Sequence, residues 1–480
     1  MSSGAARPHG VHANLILAVT AVAGLAYAML SSAVIPALPS IQHSLHATET
    51  GVTWLLTGYL LSASVATSII GRLGDMYGKE RLMLITLVIL GAGTVISALS
   101  TALLPMIVGR IIQGAGGGIF PLAFGIVRDE FPPERVAGSI GVLSSILGVG
   151  GGIGIVIGGL IVEHLDYHWL YWIPLIVTVI AAVCTWRFVP ESPIKVPGKV
   201  NWLAAALMTA GFSCVLIAIS QTTTWGWGSA KTLSLLALGF AICAAWVLVE
   251  VRSKVPLIDM AMMRIRGVWT TNLVAFLLGA GMYASFLAFP QFAQLPKSTG
   301  FGFGASVVTA GLYLVPAAIF MSVLGSFAGR FSRRFGSKFA VILGSAVTAV
   351  AFGWLAVAHA HPYDMLISAA LLGIGIGLAF AALSNLIVQA VSPEQTGAAT
   401  GMNTVMRTLG GALGGQIVAT FIANNVAHGL PTVTGFTQSF ALESVFLIAA
   451  AATGLLIPTA RREQPALSLD RDFARAQEAR

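Results

Sequence analysis

Two arginines lie inside long apolar stretches of the chain, where a charged side chain has few ordinary roles. Arg110 stands three residues before Gln113, and Arg407 stands four residues after Asn403, so each pair shares one face of a helix. At the centre of a bilayer an Arg costs about 2.5–3.5 kcal/mol, and it persists where it faces protein or water. A guanidinium beside a carboxamide can bind an anion or line a polar cavity. We therefore expect these four residues to serve substrate binding or coupling.

Each pair also has a purely structural interpretation. Arg110 lies about 10 Å from the outer boundary of its apolar run at 1.5 Å per residue, so its side chain can reach the headgroups. Arg407 lies about 16 Å deep, where such snorkelling is difficult, but it can hydrogen-bond a carbonyl and lock two helices together. The residue types alone leave both interpretations open.

A third set of candidate residues lies in the segment GRLGDMYGKERLML at 71–84, which carries five charges between two apolar runs. We interpret it as a short turn in which glycines permit close backbone approach and Asp75 accepts hydrogen bonds from a helix N-terminus or pairs with a base. A plain charged turn is the alternative, but it leaves the glycines around Asp75 unexplained. The expected gating loop comprises Gly71, Arg72, Asp75, Gly78, Lys79 and Arg81.

Glycines recur every four residues within another apolar run and predict a smooth helix face. Small residues at this spacing let helix backbones touch, and a face without bulky side chains can also slide or rock. The expected helix-packing motif comprises Gly150, Gly154, Gly158 and Gly159. A similar run, GGALGG, occupies 410–415.

Acidic side chains are expected only within a turn or two of the ends of apolar runs, at Glu163, Glu250, Asp364 and Glu443. With Arg110 and Arg407 as the charges of a cavity, the field favours anionic, zwitterionic or neutral amphipaths over dications. No central proton carrier is evident. Proton coupling is therefore expected to use a peripheral acid such as Glu443 or the substrate's own titration.

Several kinds of chemistry lack the residues that they need. The sequence contains no HExxH, no GxSxG and no G-x-x-x-x-G-K-[ST] pattern, so we predict no catalytic residues and no nucleotide-driven pump. The three cysteines lie inside apolar runs without metal-ligand spacing, and no metal or cofactor is predicted. The basic residues form no stripe, which argues against a nucleic-acid partner.

The elements that must position these residues are membrane helices. Across 480 residues, 56% are hydrophobic, 9% are charged and the mean hydropathy is +0.87, which is more apolar surface than a soluble core can hide. A helix needs about 20 apolar residues to cross the hydrocarbon core. Scanning at that length predicts an all-α polytopic membrane protein with fourteen transmembrane helices, the last over 438–460.

The basic residues predict how these helices are oriented. Of the 26 Lys and Arg residues, only Lys231 and Lys297 fall in loops on one side, and only Arg110 and Arg407 fall inside spans. The remaining basic residues lie in the termini and in the loops on the other side, which the positive-inside rule assigns to the cytoplasm. Both termini are therefore expected to be cytoplasmic.

The chain also contains an internal repeat. GRLGDMYG at 71–78 matches GRFSRRFG at 329–336, and PPERVAG at 132–138 matches SPEQTGA at 392–398, at offsets of about 260 residues. Such a repeat predicts two pseudo-symmetric six-helix halves with a site at their interface. The predicted division is a cytoplasmic N-terminus (1–12), an N-terminal half (13–189), two inserted helices with linkers (190–264), a C-terminal half (265–460) and a cytoplasmic tail (461–480). Arg333 replaces Asp75 in the second copy, so only the first copy is expected to make a gating contact.

These features together resemble the major facilitator superfamily and, through the two extra helices, its fourteen-span drug/proton antiporter family. The motif G-x-L-x-D-x-x-G is matched by Gly71, Leu73, Asp75 and Gly78, and R-x-x-Q-G by Arg110, Gln113 and Gly114. The exporter motif G-x-x-x-G-P-x-x-G-G keeps its glycines but has Ile155 in place of proline. The first span keeps the ALPSI ending and lacks the acid that is common in the family.

The resemblance implies a secondary active transporter that drives efflux of amphipathic small molecules with the proton gradient, by alternating access. In that family the turn after the second span contacts the other half of the protein in the outward-facing state. The implied location is the plasma (inner) membrane, and the implied working unit is a monomer. Its implied partners are membrane lipid and a small amphipathic substrate. An importer or exporter of anionic or neutral metabolites without such antiport is the alternative, and a polytopic sensor or membrane enzyme is a more remote one.

Overall fold

The computed structural model describes residues 9–47, 49–192, 201–253, 256–427 and 430–458. The predicted N-terminal segment lies mostly outside these ranges, and the predicted tail lies wholly outside them. The helices of the first half are α1 (His9–Ser32), α2 (Leu38–Ser44), α3 (Glu49–Tyr77), α4 (Lys79–Leu99), α5 (Leu103–Gln113), α6 (Ile119–Glu130), α7 (Pro133–His164) and α8 (Trp169–Phe188). A 3-10 turn at Gly114–Gly118 joins α5 to α6 into one span.

The remainder of the chain is also helical, apart from one short hairpin. Its helices are α9 (Trp202–Ser220), α10 (Thr222–Trp225), α11 (Ala230–Arg252), α12 (Met260–Arg264), α13 (Arg266–Gln294), α14 (Val307–Leu312), α15 (Val315–Phe335), α16 (Ser337–Val357), α17 (Pro362–Ala390), α18 (Thr396–Asn424) and α19 (Val433–Gly454). Further 3-10 turns lie at Lys297–Thr299 and Pro393–Gln395. Strands β1 (Val426–Ala427) and β2 (Leu430–Pro431) pair antiparallel, with Val426 opposite Pro431.

Fourteen stretches of helix in the described ranges are long and apolar enough to cross a membrane, as predicted. They confirm an all-α polytopic membrane fold with two pseudo-symmetric six-helix halves and an inserted helix pair. The last span, α19, begins at Val433 rather than at the predicted 438. Polar residues such as Thr434, Thr437 and Gln438 fill its first turns, so hydropathy alone placed the start too late.

Each half contains a very close helix pair at an equivalent position. In the first half, the backbones of Gly154 and Gly158 lie against Met29 of α1 and against Ala33, the residue that follows α1, so closely that a Cβ at either glycine would collide there. Gly150 packs against the same helix, and Gly159 is buried. The predicted stripe therefore packs α7 against α1 inside its own half, and its glycines Gly150, Gly154 and Gly158 do not form a sliding surface between the halves.

The second half repeats this arrangement with α13 and α18. A Cβ at Gly410 or Gly414 would collide with the carbonyls of Phe276 and Ala280 on α13. Conversely, a Cβ at Gly279 of α13 would collide with the carbonyl of Arg407 on α18. The GGALGG run is thus the counterpart of the α7 stripe in structure as well as in sequence.

The halves meet along two equivalent pairs of helices, α3 with α18 and α7 with α15. Gly71 of α3 lies against the carbonyl of Gly397, and Gly329 of α15 lies against the backbone of Gly138 on α7. These two contacts occupy equivalent positions in the two copies of the repeat. They lie at the end of the bundle that holds the turns at Gly78 and Gly336, which we call the Gly78 end.

The inserted helices α9 and α11 pack against each other beside this interface. Gly211 of α9 lies against Cys243 of α11, and Ala204 and Met208 of α9 share an apolar cluster with Met402 and Val405 of α18. The opposite face of α11 is exposed at Leu238, Phe240, Val247, Leu248 and Val251, as expected of a helix that faces lipid.

The end of α11 is tied to the start of α18 by a short series of hydrogen bonds. The buried carboxylate of Glu250 accepts backbone N–H groups of Leu257 at 2.9 Å and Ile258 at 3.1 Å. The next residue, Asp259, accepts the side-chain amide of Gln395 at 3.1 Å, immediately before α18. Because Glu250 bonds backbone groups in this linker, its carboxylate fixes the chain path that leads into the second half.

Candidate functional site

A cavity of about 320 Å³ lies between the two halves, on the side of the bundle away from the Gly78 end. Residues from both halves line it, including Tyr27, Tyr59 and Phe120 on one side and Tyr283, Phe380 and Met321 on the other. Volumes from roughly 300 Å³ upward, with apolar and aromatic walls and few polar groups, are typical of small-molecule sites. Gly151 and Gly415 have no neighbouring atom within 4 Å of the position that a Cβ would take, so these two glycines keep part of the wall open.

Arg407 is the one charged residue among those that line this cavity. Its side chain is 7% exposed, and its guanidinium carbon lies 4.7 Å from the centre of the Phe380 ring. The Nε–H group has no hydrogen-bond partner among the described residues. Thr404, Thr408 and Gly411 lie beside it on the same wall, because residues three and four apart share one face of α18.

Arg110 is placed differently from the sequence-based expectation, because it is fully buried and does not line the cavity. Its Nε donates to the carbonyl of Leu55 at 3.0 Å, and Nη1 donates to the carbonyl of Leu30 at 3.0 Å. These bonds join α5 to α3 and α1, so the side chain is not directed to headgroups. Its guanidinium carbon lies 4.2 Å from the ring centre of Tyr59, and Tyr59 does line the cavity.

Gln113 completes this buried cluster and also lies outside the cavity wall. Its Oε1 accepts a 2.7 Å hydrogen bond from Arg110, and its Nε2 donates to the carbonyl of Gly93 at 3.2 Å and to Ser97 Oγ at 3.1 Å. Gln113 therefore links Arg110 to α4. The i, i+3 spacing predicted that these two side chains meet, but it did not identify the partners on other helices.

Asn403 does not share the cavity wall with Arg407, contrary to expectation. It is buried, and its Nδ2 donates to Asn272 Oδ1 at 2.9 Å and to the carbonyl of Thr271 at 3.5 Å. Both partners lie on α13, within the same half. Asn403 thus makes interhelical hydrogen bonds that lock two helices together, as the purely structural interpretation of the pair expected. Arg407, one turn later, faces the cavity.

Glu443 is likewise not peripheral. It lies near the middle of α19, is 0% exposed, and neither carboxyl oxygen has a hydrogen-bond partner among the described residues. Phe440 and Leu447, one turn away on either side, are also fully buried, and Leu447 packs against Gly281 of α13. The corrected helix start places an unpartnered carboxyl group deep inside the second half, where sequence placed it near an end.

The expected gating loop is mostly helical in the structure. Helix α3 continues to Tyr77 and α4 begins at Lys79, so Gly78 is the whole turn. Gly78 has φ of 113°, a conformation that glycine adopts without strain. Gly71, Arg72 and Asp75 therefore lie in the last turns of α3. The error came from treating charge as a sign of a loop, whereas here the charges lie on helix ends.

Asp75 makes the cross-half contact that its position suggested. It is 1% exposed, and its two oxygens accept the backbone N–H groups of Gly397 at 3.2 Å and Ala398 at 3.1 Å, in the first turn of α18. The unpaired N–H groups and the dipole at a helix N-terminus favour a carboxylate. We call the Asp75 hydrogen bonds, together with the Gly71–Gly397 packing, the gate contact.

The other charges of the segment surround the gate contact. Buried Lys79 lies 2.5 Å from Asp129 Oδ2 and 3.9 Å from Asp75 Oδ1. Arg81 is largely exposed and lies 3.7 Å from Glu191. Arg72 is partly buried in a small pocket at this end that Glu394 and Asp259 also line.

Sequence reasoning missed Arg128, which also joins the halves. Its guanidinium donates to the carbonyl of Val391 at 2.9 Å, to the carbonyl of Ser392 at 3.2 Å and to Thr396 Oγ1 at 2.5 Å. Arg128 is followed by Asp129, the partner of Lys79. The available signal was the charged triplet Arg-Asp-Glu at 128–130, which ends an apolar run as the first hairpin does.

The second copy of the hairpin also contacts the opposite half, contrary to expectation. Arg333 donates to the carbonyl of Glu134 at 2.8 Å, in the first turn of α7. This bond is exposed, whereas those of Asp75 are buried. Asn385 adds a bond to the carbonyl of Ala137 at 3.2 Å. Both helix interfaces are therefore bonded at the Gly78 end, while the cavity lies beyond them.

Comparisons with known proteins agree with this architecture. The model of the Major Facilitator Superfamily matches residues 20–415 and 271–475. The tetracenomycin C resistance and export protein of Streptomyces glaucescens is 28% identical over 80% of this chain and 71% of its own length. The multidrug transporter protein MdtP of Bacillus subtilis is 28% identical over 73% of this chain and 64% of its own length.

Solved structures show the same fold at low sequence identity. The proton:xylose symporter XylE aligns with a TM-score of 0.67 and 14% identity, covering 94% of this chain and 97% of that one. The human organic anion transporter MFSD10 aligns with a TM-score of 0.66 and 16% identity, covering 94% of this chain and 100% of that one. With its two repeated halves, central cavity and helical hairpin contact, this multi-pass membrane protein belongs to the Major Facilitator Superfamily.

Proposed function

We propose that this protein is a secondary transporter that exports amphipathic small molecules by alternating access. The observation that carries the proposal is a central cavity between two pseudo-symmetric halves. Hydrogen bonds join these halves at the Gly78 end, a few helical turns from the cavity. Rigid halves that exchange such contacts between their two ends can expose one site to each side in turn. The relatives named for resistance and export support the outward direction.

The orientation of the chain belongs to the same proposal. The Gly78 end carries Lys79, Arg81, Arg128, Arg333 and Arg334, so the positive-inside rule assigns it to the cytoplasm, with both termini. In that orientation the cavity faces outward and the gate contact closes the cytoplasmic side. We propose the plasma membrane as the location and a monomer in lipid as the working unit.

We further propose that the proton gradient drives transport and that Glu443 carries the proton. An ionised carboxylate without hydrogen-bond partners is very costly to bury, so the conformation described here requires proton uptake at Glu443. The charged residues on the helices that pack against α19 do not face Glu443. Arg266 and Lys338 donate to the carbonyls of Leu456 and Leu455, just beyond the far end of α19, and Arg407 lines the cavity. A conformational change that admits water would release the proton.

Transport by purified protein in proteoliposomes tests the proposal. With an imposed pH gradient, we expect the wild-type protein to move an uncharged fluorescent probe, naphthalenesulfonamide, against its concentration gradient. Glu443→Gln keeps the shape of the side chain but cannot exchange a proton, so it should retain probe exchange and lose the pH-driven accumulation. Glu163→Gln, an exposed acid at the end of α7, is the matched control and should behave as wild type.

Two results would contradict these proposals separately. Absence of probe movement in wild-type proteoliposomes, under either a pH or a voltage gradient, would count against an exporter of amphipathic molecules. Full pH-driven accumulation by Glu443→Gln would leave the exporter intact and remove Glu443 as the proton carrier. Probe movement by the wild-type protein that does not respond to the pH gradient would instead favour the alternative in which anionic or neutral metabolites move without proton antiport.

A further inference from the structure

We infer that the cavity selects amphipathic monoanions, which bind with their charged group at Arg407 and their apolar body against the aromatic wall. The inference rests on the proposed transport function and specifies the substrate class of that same cavity. Three observations lead to it: the charge of the wall, the unsatisfied donor of Arg407, and the placement of the acids outside the wall.

The charge of the cavity wall has one sign. Of the residues that line the cavity, Arg407 alone is charged, and no Asp or Glu is among them. Arg110 stands behind Tyr59 and adds a second positive charge close to the wall. A cavity with low-dielectric walls and charge of one sign concentrates ions of the opposite sign. An organic cation would meet repulsion here and no compensating carboxylate.

The guanidinium of Arg407 has spare capacity to bind. Its Nε–H is buried without a partner among the described residues, although buried donors are nearly always satisfied. Its face packs on Phe380 and the guanidinium also hydrogen-bonds Tyr283, so Nε–H is the edge donor that stays without a partner among the described residues. Guanidinium groups bind carboxylates, sulfonates and similar oxyanions through paired N–H groups. The unsatisfied donor is therefore explained if an oxyanion completes the site.

The remaining wall fits the apolar part of such a molecule. Tyr27 and Tyr59 stack with ring centres 5.9 Å apart, and Phe120 lies edge-on to Tyr27 at 6.2 Å. Gln416 supplies a second polar group whose Oε1 has no partner among the described residues. One cationic group, one amide and aromatic surfaces from both halves are suited to an aromatic or alkyl body with one negative end.

Binding to purified protein in lipid nanodiscs tests the inference with three probes of similar shape: naphthalenesulfonate, uncharged naphthalenesulfonamide and a naphthyl trimethylammonium. We expect the sulfonate to bind most tightly and the ammonium least. Arg407→Ala should weaken sulfonate binding about 30-fold or more and leave the sulfonamide within about threefold, because only the anion loses a charged partner. Arg407→Lys, which keeps the charge without the planar fork, should recover part of the loss.

Gln416→Leu is the control on the same wall. It removes a polar group without changing charge, so it should alter sulfonate and sulfonamide binding by the same factor. Tighter binding of the ammonium than of the sulfonate, an equal loss of all three probes in Arg407→Ala, or binding of none of them would overturn the inference. The first two results leave the exporter proposal standing, since pH-driven movement of the uncharged probe tests that proposal independently.

Discussion

Replacing Asp75 with Asn tests whether the gate contact holds this conformation closed at the Gly78 end. The carboxylate accepts two backbone N–H groups, from Gly397 and Ala398. The amide keeps one accepting oxygen, loses the charge and places an NH₂ donor against the second N–H. Hydrogen bonds to a charged group contribute about 1.5–3 kcal/mol each and neutral ones about 0.5–1.5 kcal/mol. Two bonds to a charged group, about 3–6 kcal/mol together, are replaced by one neutral bond of about 0.5–1.5 kcal/mol, so the expected loss is about 2–5 kcal/mol.

That loss acts on the equilibrium between conformations rather than on folding, because the contact joins two halves that each retain their own core. At about 1.4 kcal/mol per factor of ten, a loss of about 2 kcal/mol or more should lower the ratio of closed to open molecules at least about 30-fold. Transport should fall several-fold as well, since a population trapped in one conformation completes the cycle slowly.

Distances between two spin labels measure this ratio directly. Tyr77 on α3 and Phe335 on α15 are 51% and 53% exposed at the Gly78 end, so labels there report separation of the halves. Glu134→Gln is the matched control, because it removes an exposed charge at the same end without touching the gate contact. A distance distribution for Asp75→Asn that is the same as in wild type, in protein that folds normally, would refute the reasoning.

Three further predictions concern packing and orientation. Gly397→Ala should open the Gly78 end in the same spin-label measurement, since its Cβ collides with the carbonyl of Gly71, whereas Gly415→Ala on the same helix meets nothing within 4 Å and should not. Gly154→Leu should lower the thermal unfolding temperature of the detergent-solubilised protein by overpacking α1 against α7, at a cost of about 1–3 kcal/mol or more; an unchanged temperature would contradict the packing described. Cysteine labelling from outside the cell should reach position 227 and miss position 334, and the reverse pattern would overturn the orientation.

The sequence predicted the fold well because the bilayer constrains it strongly. Helix length, apolar composition and the distribution of basic residues can all be counted directly from the sequence, and the repeat predicted the two halves. The hairpin was located correctly along the chain, although its turn is Gly78 alone, and a helix N-terminus was one of the two partners expected for Asp75. These features depend on position along the chain, which sequence reports directly.

The candidate site was less predictable because it depends on which way each side chain faces. Arg110 and Arg407 looked alike in sequence, but one is enclosed by backbone carbonyls and the other lines the cavity. Asn403 lies one helical turn before Arg407 on a similar face of α18. Even so, its side chain contacts Asn272 of α13 and not the cavity. Tyr59 gave no signal of its own, because an aromatic residue in a span is most often part of the packing.

The linker that follows α11 connects a lipid-facing helix to the gate contact, because it bonds the residue that precedes α18. Helix α11 presents most of its apolar side chains outward, and its last turn is tied through Glu250 to Leu257 and Ile258. The following Asp259 bonds Gln395, one residue before the helix that receives Asp75. A bilayer whose thickness does not match α11 changes the tilt of that helix. We expect such a tilt to be transmitted along these bonds to the first turn of α18, so that membrane thickness would act as a force on the closed conformation.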